Sequence, residues 1–127
     1  MDKIIIELIE RQIKATDIKL SPTQQALCIP IIKRIYQKMK NGIKFDDIKV
    51  CDDLIIDGHH RYISSLLAGT QIRHVLTNRT SATEKYEWTT VKFVQVEWDT
   101  KEKIDKLNKD DADFNNIPLA KIVEMTK

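Results

Sequence analysis

Leu54-Ile55-Ile56-Asp57-Gly58-His59-His60-Arg61-Tyr62 is the stretch on which the reading of this chain turns. Three consecutive apolar residues, two of them β-branched, suit a buried strand, and Asp57-Gly58 is a turn pair. Over residues 60–68 the apolar residues Tyr62, Ile63, Leu66 and Leu67 recur at helical spacing, and Gly69 supplies a stop. A strand therefore runs through a glycine turn directly into a helix. Such a junction leaves unpaired backbone N–H groups at the helix start, where the helix dipole favours an anion. Gly58 permits a positive φ and close approach of a ligand, Arg61 offers a planar fork to phosphate oxygens, and His59 and His60 add donors that strengthen on protonation. The residues predict a phosphate seat at Gly58, His59, His60 and Arg61. The plainer reading is a structural turn in which Asp57 caps the helix and the His and Arg side chains face solvent.

Working outward, residues 48–51, the acidic pair Asp52-Asp53 and residues 54–56 predict a strand, a tight turn and a second strand. Ser21-Pro22-Thr23-Gln24 has the form of a capping box and predicts a helix start, which Pro30 should kink or restart and Asn41-Gly42 should end. Ahead of it, Ile4, Ile5, Leu8, Ile9 and Ile13 predict a helix after Asp2 as cap, and residues 15–20 an extended segment. Residues 72–76 and 91–98 read as strands. Residues 77–87 are polar and carry no pattern, and a short helix is expected after Thr100. Residues 110–115 read as an acidic loop and 117–125 as a last helix. No internal repeat occurs, and the order of elements predicts a single α/β or α+β domain over 1–127.

Composition agrees with a folded domain and excludes several classes. The chain has 127 residues, 42% hydrophobic and 31% charged, with 3 Gly and 3 Pro, so wholesale disorder and collagen-like structure are ruled out. With 21 Lys and Arg against 19 Asp and Glu, the net charge of +2 falls far short of a non-specific DNA coat. Cys28 and Cys51 are too few and too far apart for a disulfide scaffold or a paired-thiolate zinc site. The opening apolar run is interrupted at Glu7 and Glu10, which excludes a membrane span there. A cytoplasmic setting is the expectation, with export by a dedicated system left open.

Asp57-Gly58-His59-His60-Arg61-Tyr62, closed by Gly69, resembles the signature of the ParB-like and sulfiredoxin superfamily, in which a strand leads into Asp-Gly-x-His-Arg and then a helix. Leu20-Ser21-Pro22-Thr23-Gln24 stands where that family has a short strand followed by Pro-x-Gln, with Gly42 and the strand pair following in family order. The resemblance covers residues 15–76, with 1–14 as a helical extension and 77–127 outside it. It implies a mixed sheet with surrounding helices, and Gly58, His59, His60 and Arg61 holding nucleotide phosphates, with Gln24 in the same pocket. The ligand implied is a nucleoside triphosphate or diphosphate with Mg²⁺. Sulfiredoxin chemistry needs a thiolate where this chain has His59, so it is excluded at this turn. A full ParB segregation protein also carries a DNA-binding module and a dimerisation tail, for which 127 residues leave little room.

Three functions follow as expectations. The first is nucleotide or phosphate binding, extending to Mg²⁺-dependent phosphoryl transfer or nucleotide hydrolysis with Asp57 as base and His60 as a second catalytic candidate. The second is a DNA-directed nuclease or bacterial toxin module, with a nucleic acid on the same turn. The third is a non-enzymatic, immunity-type domain with a protein partner. A protein-held metal site is not expected: adjacent His59 and His60 do not share a helix face, and Asp110, Asp111 and Asp113 lack calcium-loop spacing. Where relatives in the ParB-like superfamily commonly have Ala facing the sheet, this chain has Ser64, whose hydroxyl is expected to bond back to a helix carbonyl.

Overall fold

The Ile-rich stripe of the N-terminal segment closes over the middle of the chain in a computed structural model that describes residues 2–15 and 18–127. Thr16 and Asp17, within the extended segment expected over 15–20, lie outside that description, as does the side chain of Asp2, the expected cap. The elements in chain order are α1 (Asp2–Ala15), β1 (Ala26–Cys28), α2 (Ile29–Lys40), β2 (Ile48–Cys51), β3 (Leu54–Asp57), α3 (His59–Ala68), β4 (His74–Leu76), a 3₁₀ turn (Trp88–Thr90), β5 (Lys92–Val94), α4 (Lys101–Asn115) and α5 (Leu119–Met125). This is a mixed α+β fold. No helix among the described residues is long and apolar enough to cross a membrane.

Two small sheets form among the described residues. In the first, β2 pairs antiparallel with β3 as the expected hairpin, Cys51 opposite Leu54, and parallel with β4, Ile48 opposite His74. Asp52 takes the left-handed conformation that the tight turn requires. In the second, β1 and β5 run parallel with Ala26 opposite Lys92. The parallel pairings need long crossovers, and α2 and α3 supply part of them. Ile5 and Ile9 of α1, Leu27, Ile29 and Ile32 around the start of α2, Ile48 and Ile55 of the hairpin, and Ile63 of α3 form the main core. A smaller cluster of Ile43, Ala112 and Ile122 seats α4 and α5 separately.

Several expectations are corrected. Ser21-Pro22-Thr23-Gln24 does not start a helix: the Ser21 N–H donates to the Asp53 carbonyl at 2.7 Å, and the Ser21 carbonyl accepts from Ile55 at 3.0 Å. Those bonds place Ser21 beside Leu54 as a parallel bridge, so tertiary pairing overrides the local capping signal. The helix begins instead at Ile29, with Pro30 in its first turn where a missing N–H costs nothing. Residues 110–115 are helical, not a loop, because Thr100 caps α4 by accepting from the Lys103 N–H and Lys106 pairs with Asp110 one turn on. The strands expected over 72–76 and 91–98 shrink to β4 and β5, and Trp88, buried in the core, donates its indole N–H to the Leu20 carbonyl at 2.8 Å. Ser64 bonds across to the Ile32 carbonyl of α2, tying the two helices together.

Gly58 is the tightest point of the framework. Its φ is +100°, and a Cβ there would lie 2.5 Å from Ile48 Cγ2 and 2.9 Å from an Arg61 guanidinium nitrogen. Gly69, at φ +69°, has open space around it. Gly69→Ala should therefore cost only the left-handed backbone penalty, about 1 kcal/mol, whereas Gly58→Ala adds overpacking and should cost about 2–4 kcal/mol. Urea unfolding of both variants checks this, and equal losses would remove the close approach as a constraint.

Candidate functional site

The turn from β3 into α3 opens onto a cleft of about 750 Å³ whose walls include Gln24, Asp57, Gly58, His59, His60 and Arg61. All six candidate residues of the sequence thus meet at one place. α2 contributes Arg34 and Lys38, and α4 contributes Ile104, Leu107, Asn108, Asp111 and Phe114 among others. Trp98 also stands at the site, with its ring edge-on to His60 at 5.5 Å.

Asp57 is not the cap of α3. The cap position is Gly58, in the left-handed conformation, and among the described residues no side chain bonds to the helix start. The first N–H groups of α3 consequently keep no side-chain acceptor, although Tyr62 N–H closes the first turn on the Gly58 carbonyl. Asp57 is exposed and lies 3.5 Å from Arg61, whose other terminal nitrogen donates to the Asp46 carbonyl at 3.1 Å. The guanidinium is thereby folded back over the glycine. Gln24, freed of its expected capping role, is part of the cleft wall.

Both histidines are used by the fold in a way the sequence did not reveal. His59 is 2% exposed, and its Nε2 accepts the Thr23 N–H at 2.9 Å. The Thr23 hydroxyl donates to the Ile55 carbonyl at 2.6 Å, so the same threonine is locked from both sides. His60 Nε2 accepts the Cys28 N–H at 2.9 Å. A backbone N–H can only donate, so each ring is neutral with its proton on Nδ1. Burial pulls both down to about 4, against a partial opposing pull from Asp57 on His59 and Asp99 on His60. The donors expected to strengthen on protonation are therefore neutral Nδ1–H groups at pH 7. With Nε2 occupied, His60 has no free lone pair to act as a base, and Asp57 faces solvent beside a cation.

The charges of the cleft are mostly answered from within. Arg34 pairs with Glu97 and, at 3.3 Å, with Asp99, and holds the Glu97 carboxyl below the usual carboxylate range. Lys38, only 3% exposed, meets Asp111 at 2.7 Å. Two polar atoms of the walls are exceptions: His59 Nδ1 and Asn108 Oδ1 are buried without a hydrogen-bond partner. Each such orphan costs about 1–3 kcal/mol and calls for an explanation, a bound ligand among them. Among the described residues no three of His, Cys, Asp and Glu are grouped to hold a metal ion, so Mg²⁺ would have to travel on a ligand's phosphates.

The chain matches no protein-family model, no curated protein and no solved structure.

The two histidine bonds make acid stability a direct probe of the site. Their folded values near 4 lie below the ordinary 6.5, so the unfolded chain takes up protons first as pH falls. Stability should accordingly be full above about pH 6.5 and fall toward pH 4, His59 alone accounting for on the order of 3 kcal/mol. His59→Gln keeps an acceptor for Thr23 and does not titrate; its urea midpoint should change less with pH across that window. An unchanged slope would show that His59 is not held neutral.

Proposed function

We propose that this protein is a ParB-like binding domain for a nucleotide or similar phosphate ligand, seated at Gly58, His59, His60 and Arg61. The observation that carries the reading is the uncapped start of α3 behind a left-handed glycine, opening onto the cleft beside Arg61. Backbone N–H groups and the helix dipole favour an anion there, and the guanidinium adds directed, charge-assisted donors. The neutral Nδ1–H groups of His59 and His60 add donors without charge. Trp98 and Phe114 give the cleft aromatic surface for the remainder of the ligand.

Binding is favoured over turnover. His60 Nε2 is engaged by Cys28, and Asp57 sits at the rim in an ion pair, so neither is placed as a general base in this arrangement. Phosphoryl transfer or hydrolysis with bound Mg²⁺ would require a base delivered by the ligand's acceptor or a shift of Asp57 away from Arg61. A reducing, cytoplasmic setting fits the two free cysteines, Cys28 and Cys51.

Calorimetry with ATP, CTP, GTP and ADP in the presence of Mg²⁺ tests the reading. At least one should bind, and Arg61→Ala should weaken it by about tenfold or more, the loss of one charged hydrogen bond. Absence of binding throughout, or equal binding by Arg61→Ala, would overturn it.

A further inference from the structure

We infer that Asn108 of α4 is the specificity-determining residue of the cleft, reading the non-phosphate part of the ligand: a flat apolar group bearing an N–H or O–H donor, as a nucleotide base does. This rests on the phosphate reading of the α3 turn. Asn108 is 5% exposed, belongs to the cleft wall, and its Oδ1 is buried without a partner. On α4 it lies three or four residues from Ile104 and Asp111, which also line the cleft, and it is the uncharged polar group of that set.

The fold does not need it. Asn115, two turns further along the same helix, shows what a structural asparagine does there: it accepts the Lys44 N–H at 2.7 Å and donates to the carbonyls of Lys44 and Asp111. Asn108 makes no such bond. A carboxamide stands there with an empty acceptor, a local stability cost of the kind that collects at binding sites. Rotation about its soft terminal torsion turns the amide toward a ligand. The cleft volume is that of a site for a molecule of nucleotide size, with the α3 turn at one side and the α4 face at another. Trp98 and Phe114, 45% and 60% exposed, leave aromatic surface for a flat ring in the same cleft.

The full chain is titrated by calorimetry with pyrophosphate and with ADP, CDP, GDP and UDP, for the wild type, Asn108→Leu and Asn108→Ala. The wild type should prefer at least one nucleoside diphosphate over pyrophosphate, and Asn108→Leu should reduce that preference about tenfold. Asn108→Leu should also melt at or above the wild-type temperature, because it removes an unpaired buried acceptor. Pyrophosphate binding by the wild type with an unaltered preference in both variants would overturn the role of Asn108 alone. No binding of any probe by the wild type would overturn the phosphate reading and this inference with it. A drop in melting temperature of several degrees for Asn108→Leu would mark Asn108 as a structural residue, and Asn108→Ala, which adds no bulk, keeps the preference measurable in that case.

Discussion

Two imidazole nitrogens tie the molecule's functional corner together. His59 and His60, consecutive residues at the start of α3, accept the backbone N–H groups of Thr23 and Cys28. Those donors belong to the segment that crosses beside β3 and enters β1 and α2, so the path of the chain into α2 and the start of α3 are set by the same pair of bonds. Both bonds require neutral rings. Burial supplies that condition by discouraging the charged form, and the consequence is chemical: the proton of each ring sits on Nδ1. A feature that stabilises the fold therefore also determines which atoms the site can present.

The electrostatics of the cleft follow a similar logic. Arg34, Lys38, Arg61 and Lys103 each meet a carboxylate of Asp or Glu, so the walls carry little unanswered charge. On the proposed reading, an anion entering here would be held by directed donors, the uncapped N–H groups of α3 and the fork of Arg61, more than by a diffuse positive field. The exchange proposed is local: a phosphate would compete with the exposed Asp57 carboxylate for Arg61, across a separation already at 3.5 Å. A net charge of +2 for the whole chain is consistent with recognition of that kind and uninformative about it.

Much of this corner was legible in the sequence because its signals are local. Asp57-Gly58 before an apolar helical stripe predicts a strand, turn and helix, and Gly58 and Gly69 both adopt the left-handed conformation expected of them. The hairpin around Asp52-Asp53 was legible for the same reason. What could not be read depends on partners distant in sequence. Ser21 and Thr23 carry a capping pattern whose backbone groups are taken by Asp53, Ile55 and His59, more than 30 residues away. The acidic run in α4 reads as a loop until the Lys–Asp pairs along the helix and the Lys38–Asp111 contact are known. The roles of His59 and His60 as backbone acceptors, and the isolation of Asn108, have no sequence signature, since both are defined by who stands opposite.

Side-chain ¹⁵N NMR of the histidines, recorded at pH 7 with and without pyrophosphate, tests the central claim most directly. The account predicts that His59 and His60 are both neutral and protonated on Nδ1, and that pyrophosphate shifts the backbone amides of residues 58–61 together with an Nδ1–H resonance. Rings protonated on Nε2, or amides at 58–61 that pyrophosphate leaves unmoved, would contradict it.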